Sequence, residues 1–506
     1  MPISIINSFA SWWFKKRLSD LNLFAHNPLD TQREQFILLI DRAVNTEYGK
    51  KFNFARIHTY EDFQENVSLS TYKDLFPYID RMMRGESDVL WPGKARWFAK
   101  SSGTTSSKSK FIPVMEETLE FNHFQGGKDV VTYYYNNYPD TELLKGKILK
   151  VGGSKELQKL NDIYIGDLSA IMIDNMPFWA NIISFPEKNT ALIANWEEKI
   201  DRIIDESLDV NITGMAGIPS WIMLLLKRAL EKTGKQNIFE IWPNLEAFFH
   251  GGVSFVPYRD EFSKLLPKKD FHYQEIYNAS EGFFALQDRK ESDELLLMLN
   301  HGIFYEFIPM DQYAGVDSQE ILRLKDVEIG RNYALVISTN SGLWRYIIGD
   351  TVEFTSTKPY RIKITGRTKH FINVFGEEVV IGNTDQAIEF ASRETRSNVL
   401  EYTVAPIFMS ASQKGGHEWM IEFDKEPDDF ERFKVILDQR LKELNSDYEI
   451  KRYQNFTLDF PSIHRARKNL FYDWLKQKNK LGGQNKVPRL LNSRTFMEEL
   501  LALNEF

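Results

Sequence analysis

Cysteine is absent from all 506 residues. That excludes a disulfide scaffold, a thiol nucleophile, zinc fingers and cysteine-ligated iron–sulfur clusters. No stretch reaches the ~18 uninterrupted apolar residues of a membrane-spanning helix, so no membrane span is expected. The nine histidines are scattered, with no pair at metal-ligand spacing. A lone histidine is more often packed or solvated than a ligand, and His123, His272 and His301 are read that way. The GxGxxG, HExxH and GxSxG patterns are missing, and Gly103 to Ser109 lacks the second glycine of a Walker A loop. Positive charge is in deficit, with 63 Lys and Arg against 71 Asp and Glu, net −8. Such a chain is a poor general nucleic-acid binder. The apolar start, Met1 to Phe14, carries its charges Lys15, Lys16 and Arg17 after the apolar run, and shows no cleavage pattern of small residues. It therefore reads as a terminal helix packed on the body and not as a secretory signal. A reducing, cytoplasmic setting is the default expectation.

What is present is globular: 42% hydrophobic, 26% charged and 14% aromatic residues, without repeats or low-complexity tracts. Residues 29–48 read as a first long helix, capped by Asp30 or Thr31, with Phe36, Ile37, Leu39 and Ile40 on or near one face. Residues 60–84, which contain Pro77, read as short helices and turns. Arg96 to Ala99, Phe111 to Val114, Ile148 to Val151, Leu245 to His250, Leu295 to Leu299 and Tyr333 to Ser338 read as strands. Glu117 to Phe124, Trp196 to Ile204 and Trp221 to Leu230 read as helices, and Thr213 to Ser220 as a turn. Strands alternating with helices predict an α/β class with a mostly parallel sheet. Ligand loops then leave the carboxyl ends of the strands. The last 130 or so residues read as a smaller α/β unit, with helices at Thr384–Ser392 and Pro427–Leu444 and strands at Glu401–Ile407 and His417–Phe423. The joint falls at Gly366 to Lys369, giving domains 1–367 and 368–506.

The most unusual segment is Ser101-Ser102-Gly103-Thr104-Thr105-Ser106-Ser107-Lys108-Ser109-Lys110. Backbone N–H groups of such a loop can wrap an anion, hydroxyls add donors and a lysine adds charge. By composition alone a flexible linker is an equal reading. Its place between two strand-like segments inside a domain favours the anion loop.

That loop, followed by Ile112 and Pro113, resembles the phosphate loop of the GH3 auxin-responsive-promoter family. These are acyl acid amido synthetases within the adenylate-forming superfamily. Tyr277-Asn278-Ala279-Ser280-Glu281-Gly282 resembles the second nucleotide motif, and Trp344-Arg345-Tyr346-Ile347-Ile348-Gly349-Asp350 the third. Gly366-Arg367 with Gly376-Glu377 resembles the hinge motif, and Gln484-Asn485-Lys486-Val487-Pro488-Arg489 the C-terminal lysine motif. The matches follow the family's order.

The resemblance implies a large N-terminal adenylate-forming domain, with a parallel sheet and a barrel-like portion, and a small mobile C-terminal α/β domain. It implies ATP and Mg²⁺. By the same resemblance Ser101, Ser102, Gly103, Thr104, Thr105 and Lys110 hold the phosphates and Glu281 coordinates the metal. Tyr277 and Asn278, with Ser280 in the same motif, border the adenine. Gly252 and Val253 line the base, Asp350 accepts the ribose hydroxyls, and Arg367 reaches the ribose or phosphate side. Lys486 stabilises charge at the α-phosphate. Thr213 to Trp221 resembles an acyl-pocket loop, although core packing is the simpler reading of Trp221, Met223 and Leu224. The implied reaction adenylates a carboxylic acid and passes the acyl group to an amine such as an amino acid. The PxTxxGK pattern of acyl-CoA synthetases is missing, which counts against the alternative of a CoA ligase. A non-catalytic nucleotide-binding regulator is the other alternative. The acyl-pocket region matches the plant members poorly, so no particular acid is expected.

Overall fold

The computed structural model describes residues 16–505, apart from 22, 102–109, 153–156, 194, 253–254, 256–257, 369–370, 373–378, 409–414, 446–447, 450–451, 453–457, 479, 481–485 and 492. The chain forms two compact units: Met1–Gly252 with Lys269–Ile364, and Val253–Lys268 with Thr365–Phe506.

In the first unit, strands β1 (Trp97–Ser101), β2 (Lys110–Val114), β4 (Gln158–Leu160) and β5 (Ile163–Gly166) make a small sheet in the order β2-β1-β5-β4. The large sheet of the described residues has twelve strands. They are β3 (Lys147–Val151), β6 (Ser184–Phe185), β7 (Ile212–Gly217), β8 (Ala247–Gly251), β9 (His272–Ala279), β10 (Gly282–Leu286), β11 (Leu295–Leu297), β12 (Ile303–Pro309), β13 (Leu322–Arg323), β14 (Asn332–Thr339), β15 (Tyr346–Thr357) and β16 (Tyr360–Arg367). The order is β13-β12-β14-β15-β16-β11-β10-β9-β8-β7-β3-β6. The expected parallel sheet occupies one half, where β6, β3, β7, β8 and β9 run together. From β9 onward the pairing turns antiparallel, through β10, β11 and β16 and again through β15, β14, β12 and β13. Both faces of β10 and β12 are buried, which is why these strands read as unbroken apolar runs.

The first long helix is Pro28–Ala43, preceded by Asn27 and opened by Pro28, not by Asp30 or Thr31. Proline suits the first helical position because its missing N–H would be unsatisfied there anyway. Phe36, Leu39, Ile40 and Ala43 are buried at helical spacing, while Ile37 is 46% exposed, off that face. Residues 60–84 form the helices Tyr60–Asn66 and Tyr72–Met83, the second holding Pro77. Residues 116–137 are helical, with a π-helical turn at Leu119–Phe124.

The turn expected at Thr213 to Ser220 is instead β7, running straight into the helix Pro219–Thr233. Its glycines serve packing. A Cβ on Gly217 would come within 2.8 Å of the Val151 carbonyl oxygen, so a larger residue would push the parallel strands apart. From Lys16 the terminal segment is helical and packed as expected. Leu21 and Phe24 are buried, and both Arg17 Nε and Arg17 Nη2 donate to Asp129 at 2.7 Å. Residues 1–15 lie outside the described residues.

In the second unit β17 (Phe371–Ile372) pairs with β18 (Val379–Val380). Strands β19 (Asn398–Ile407), β20 (Gly416–Lys425) and β21 (Ser462–Ala466) form a separate sheet. The helices Ile381–Glu394 and Phe430–Leu444 flank them, and Phe433, Leu437 and Leu441 are buried at the expected spacing. The helix Arg259–Leu265 belongs to this unit, although its sequence neighbours on both sides belong to the first. Among the described residues no helix is long and apolar enough to cross a membrane.

Candidate functional site

The second sequence motif is a hairpin. Ala279 faces Gly282, so Ser280 and Glu281 make the two-residue turn between β9 and β10. Glu281 is 6% exposed. Ser280 is buried, and its hydroxyl finds no hydrogen-bond partner. A buried polar atom without a partner is costly in a folded chain, and a ligand oxygen at this turn would satisfy it. Asn278 is half-buried and pairs in register with Phe283.

The third motif carries Asp350 on β15. Val336 on β14 faces Ile347, and Ala334 faces Thr351. Residues 348–350 therefore stand opposite Leu335 alone, a bulge that re-aims a side chain beside a site. Gly349 takes φ +95° there, a conformation that an L side chain rarely adopts. The Gly349-Asp350 pair is thus not a connecting turn but an irregularity within a strand.

The two motifs meet. Tyr277 Oη–H donates to Asp350 Oδ2 at 2.6 Å. Tyr277 is 5% exposed and packs on Phe284 at 4.9 Å between ring centroids. It packs in the core, and its hydroxyl holds the carboxylate in place. In the parallel register of β8 and β9, Gly251 faces Ile276, so Gly252 lies level with Tyr277. Gly252 is exposed, with φ +81°. These residues sit where β8 and β9 end, at the carboxyl edge expected of a ligand site.

The loop of serines and threonines bridges β1 and β2, whose last pair is Ser101 with Lys110. Ser102, Gly103, Thr104 and Thr105 lie outside the described residues, as do Val253 and the side chain of Ser101. Lys110 Nζ donates to Tyr346 Oη at 3.1 Å and lies 5.7 Å from the Tyr346 ring centroid. Tyr346 opens the same strand that carries Asp350, so the end of the loop is tied to the third motif.

Arg367, half-buried, ends β16, and Lys486, also half-buried, precedes Val487. Both belong to the second unit. Among the described residues no group of three or more His, Asp or Glu is placed to hold a metal. Magnesium is commonly held by one or two carboxylates and phosphate oxygens. Glu281, beside the unpartnered Ser280 hydroxyl, fits that mode.

Sequence reasoning missed a buried ion pair that joins the third motif to β12. Arg345 Nε lies 3.1 and 3.0 Å from the two Glu306 carboxylate oxygens, and Nη2 donates to Oε1 at 2.8 Å. Arg345 Nη1 donates to the Val67 carbonyl at 2.7 Å, and Tyr60 Oη–H to Glu306 at 2.6 Å. Both charged side chains are at most 2% exposed. Burial would lower the Arg345 pKa, but Glu306 carries it above its ordinary value. A signal was available: Glu306 interrupts the apolar run Ile303 to Ile308, and a buried charge demands a partner.

The three histidines are packed, as read. His301 Nε2 lies 2.9 Å from Asp129 Oδ2, and His272 Nδ1 is 2.7 Å from Tyr134 Oη. Burial, with His301 nearby, pushes the His123 pKa down to about 4. Trp221 and Met223 are buried and Leu224 is 37% exposed.

Three comparisons bear on this geometry. The GH3 family N-terminal domain matches residues 17–271, the central domain 296–367 and the C-terminal domain 382–495. Indole-3-acetic acid-amido synthetase GH3.2 of Arabidopsis thaliana is 24% identical over 478 residues, 77% of this chain and 83% of that protein. The 4-substituted benzoates-glutamate ligase GH3.12 of Arabidopsis thaliana is 22% identical, covering 96% of both chains. The solved GH3.15 acyl acid amido synthetase superposes with a TM-score of 0.79 at 18% identity, covering 96% of this chain and 95% of that one. A 2-hydroxyisobutyryl-CoA ligase in the postadenylation state gives 0.61 at 14% identity, covering 94% and 91%. With three family domains matched in order over most of its length, the chain belongs to the GH3 family.

Proposed function

We propose that this protein is an ATP-dependent ligase that joins a carboxylic acid to an amine, through an acyl adenylate. The observation that carries the site assignment is the Tyr277–Asp350 hydrogen bond of 2.6 Å. It ties two nucleotide motifs, far apart in the chain, into one place.

In the first step a substrate carboxylate oxygen attacks the α-phosphorus of ATP. The bond to the bridging oxygen breaks and pyrophosphate leaves, giving acyl-AMP. Residues 101–110 surround the phosphates with N–H and hydroxyl donors, and Lys110 adds charge at the end of that loop. Asp350 accepts from the ribose hydroxyls, held by Tyr277. Gly252 and Val253 run beside the base, and Asn278 and Ser280 border it. Magnesium, when bound at Glu281, supplies positive charge to the phosphate oxygens. Lys486 and Arg367 place cationic donors where the anionic charge grows. In the second step the amine nitrogen attacks the acyl carbon. The C–O bond to AMP breaks, and the nitrogen loses a proton as the amide forms. An amino acid is the acceptor this reading favours, and an ATP-consuming reaction is compatible with the expected cytoplasmic setting.

The fold likeness to a CoA ligase supports a second reading, in which CoA replaces the amine. The test is the product of ATP and Mg²⁺ with pooled aromatic, indolic and fatty acids plus mixed amino acids. Acid-dependent AMP and pyrophosphate, with an amide formed only when amino acids are present, is the expected result. A thioester formed only with CoA establishes the second reading, and ADP with phosphate overturns both.

Asp350→Ala should weaken ATP binding about tenfold or more, the scale of losing hydrogen bonds to a charged group. Tyr277→Phe keeps the carboxylate but loosens it, and should cost about threefold. Calorimetric titration of ATP checks both. An unchanged dissociation constant in Asp350→Ala removes its ribose role.

A further inference from the structure

We propose that Arg489 is the positioning residue for Lys486, fixing the segment that carries the lysine onto β19. This rests on the adenylating role given to Lys486 above.

The chain just after Lys486 lies against β19, where Leu490 forms an isolated parallel bridge with Val404. Thr403 Oγ1–H donates to the Pro488 carbonyl at 2.5 Å. Val404 N–H donates to the Arg489 carbonyl at 2.8 Å, and Leu491 N–H donates back to Val404 at 2.9 Å. Leu490 is fully buried and Val487 is 6% exposed. Three bonds over four residues hold the backbone, and the side chain that fixes their register is Arg489. Its Nη1 lies 3.0 Å from Glu401 Oε1, and its Nη2 donates to Tyr258 Oη at 3.2 Å. Its guanidinium carbon sits 4.3 Å from the Tyr402 ring centroid. Tyr402 is itself held, donating to Asp385 Oδ1 at 2.6 Å and lying 2.7 Å from Thr384 Oγ1. Arg489 thus meets a carboxylate and a ring from β19 and a hydroxyl from the 253–268 segment. All of these groups lie within the second unit.

A planar guanidinium satisfies these partners in one geometry, which a flexible ammonium does not. Lys486 is three residues upstream, at most about 10 Å of extended chain. A shift of the clamp is therefore felt at the lysine. Displacing a catalytic group by about 1 Å costs on the order of 10²-fold in rate.

The clamp is also sensitive to protonation. Burial pushes the Glu401 carboxyl above its ordinary range. Arg489 and the Tyr402 N–H oppose the rise, and Asp385, on the helix Ile381–Glu394, adds to it. Glu422, on β20, is the register partner of Glu401 on β19. It is pushed up to about 7 by burial, against the N–H groups of Asn469 and Phe471, and Glu401 adds to the rise. As pH falls, Glu401 takes a proton and the ion pair with Arg489 is lost.

The experiment is acid-dependent ATP–pyrophosphate exchange in the full chain, for Lys486→Ala, Arg489→Gln, Arg489→Lys, Glu401→Gln and the double variant Lys486→Ala/Arg489→Gln. Arg489→Gln should slow exchange by about 10- to 100-fold with the KM for ATP within about threefold. Arg489→Lys should recover part of the rate. The double variant should be no slower than Lys486→Ala, because the clamp acts only through the lysine. The acid limb of the wild-type rate should be absent in Glu401→Gln. A normal rate in Arg489→Gln overturns the proposal, as does a further loss of equal size in the double variant or an unchanged acid limb in Glu401→Gln. If Arg489→Gln fails to fold, the comparison of Arg489→Lys and Glu401→Gln decides on the same terms. If Lys486→Ala exchanges normally, the role of Lys486 has failed and the proposal falls with it. A slow Lys486→Ala beside a normal Arg489→Gln overturns the proposal alone.

Discussion

Replacing Lys486 by alanine is expected to slow acid-dependent pyrophosphate release by about 10²-fold or more, the scale of losing one preorganised charge contact in a transition state. ATP affinity should change little. In the proposed mechanism other groups bind the phosphates in the ground state, whereas the lysine acts on charge that develops as the α-phosphorus is attacked. An interaction made only in the transition state lowers kcat and leaves binding alone. Lys486→Arg keeps the charge but changes its shape, and should remain well below the wild-type rate. Single-turnover release of pyrophosphate, read beside ATP titration, separates the two quantities. Loss of affinity with an unchanged rate would make Lys486 a binding group and not a catalytic one.

Glu306→Ala is expected to destabilise the first unit by about 3–5 kcal/mol, because it leaves Arg345 buried without its counter-charge. The pair is enclosed, at 2% and 1% side-chain exposure, so bulk solvent does not reach the guanidinium. Tyr60→Phe removes one hydrogen bond to the same carboxylate, and should cost about 1–2 kcal/mol. The double substitution Glu306→Leu/Arg345→Met should recover most of the loss, since apolar residues of similar volume often replace a buried pair without penalty. Thermal unfolding of the three variants beside the wild type checks the order. If Glu306→Ala melts with the wild type, the pair does not hold this part of the sheet. The effect extends to the site, because Arg345 lies five residues before Asp350. A loosened Arg345 should also weaken ATP binding.

The α/β class and eight of the strands were legible because apolar runs of strand length are bounded by turns, and helices repeat their apolar residues at helical spacing. The motifs were legible because they occur in the family's order. β7 was misread because Thr213, Gly214, Gly217 and Pro219 have the composition of a turn, while small residues equally suit strands packed closely. The antiparallel half of the large sheet was hidden, since buried strands show no alternation whichever way their neighbours run. Glu281 and Asp350 were singled out by resemblance. The role of Tyr277 as a brace was not, because a hydrogen bond between strands distant in the chain leaves no local pattern. Arg345 was absorbed into a nucleotide motif, although its partner Glu306 was the odd residue in an apolar run. The anion loop itself, from Ser102 to Ser109, stays an expectation.

The placement of residues 253–268 in the second unit bears on how the gene can be divided. Tyr258 is 2% exposed and Phe262 fully buried, and Glu261 accepts from Asn398 Nδ2 at 3.1 Å. A gene fragment beginning at residue 365 would encode every strand of the second unit's own sheets and still lack these groups. It would expose the apolar faces they cover and leave the Arg489 side chain without its Tyr258 contact. The second unit is therefore not a cassette that recombination can exchange as one contiguous stretch. A swap between relatives has to carry two separate pieces of the reading frame, and a shorter exchange joins mismatched halves of one core.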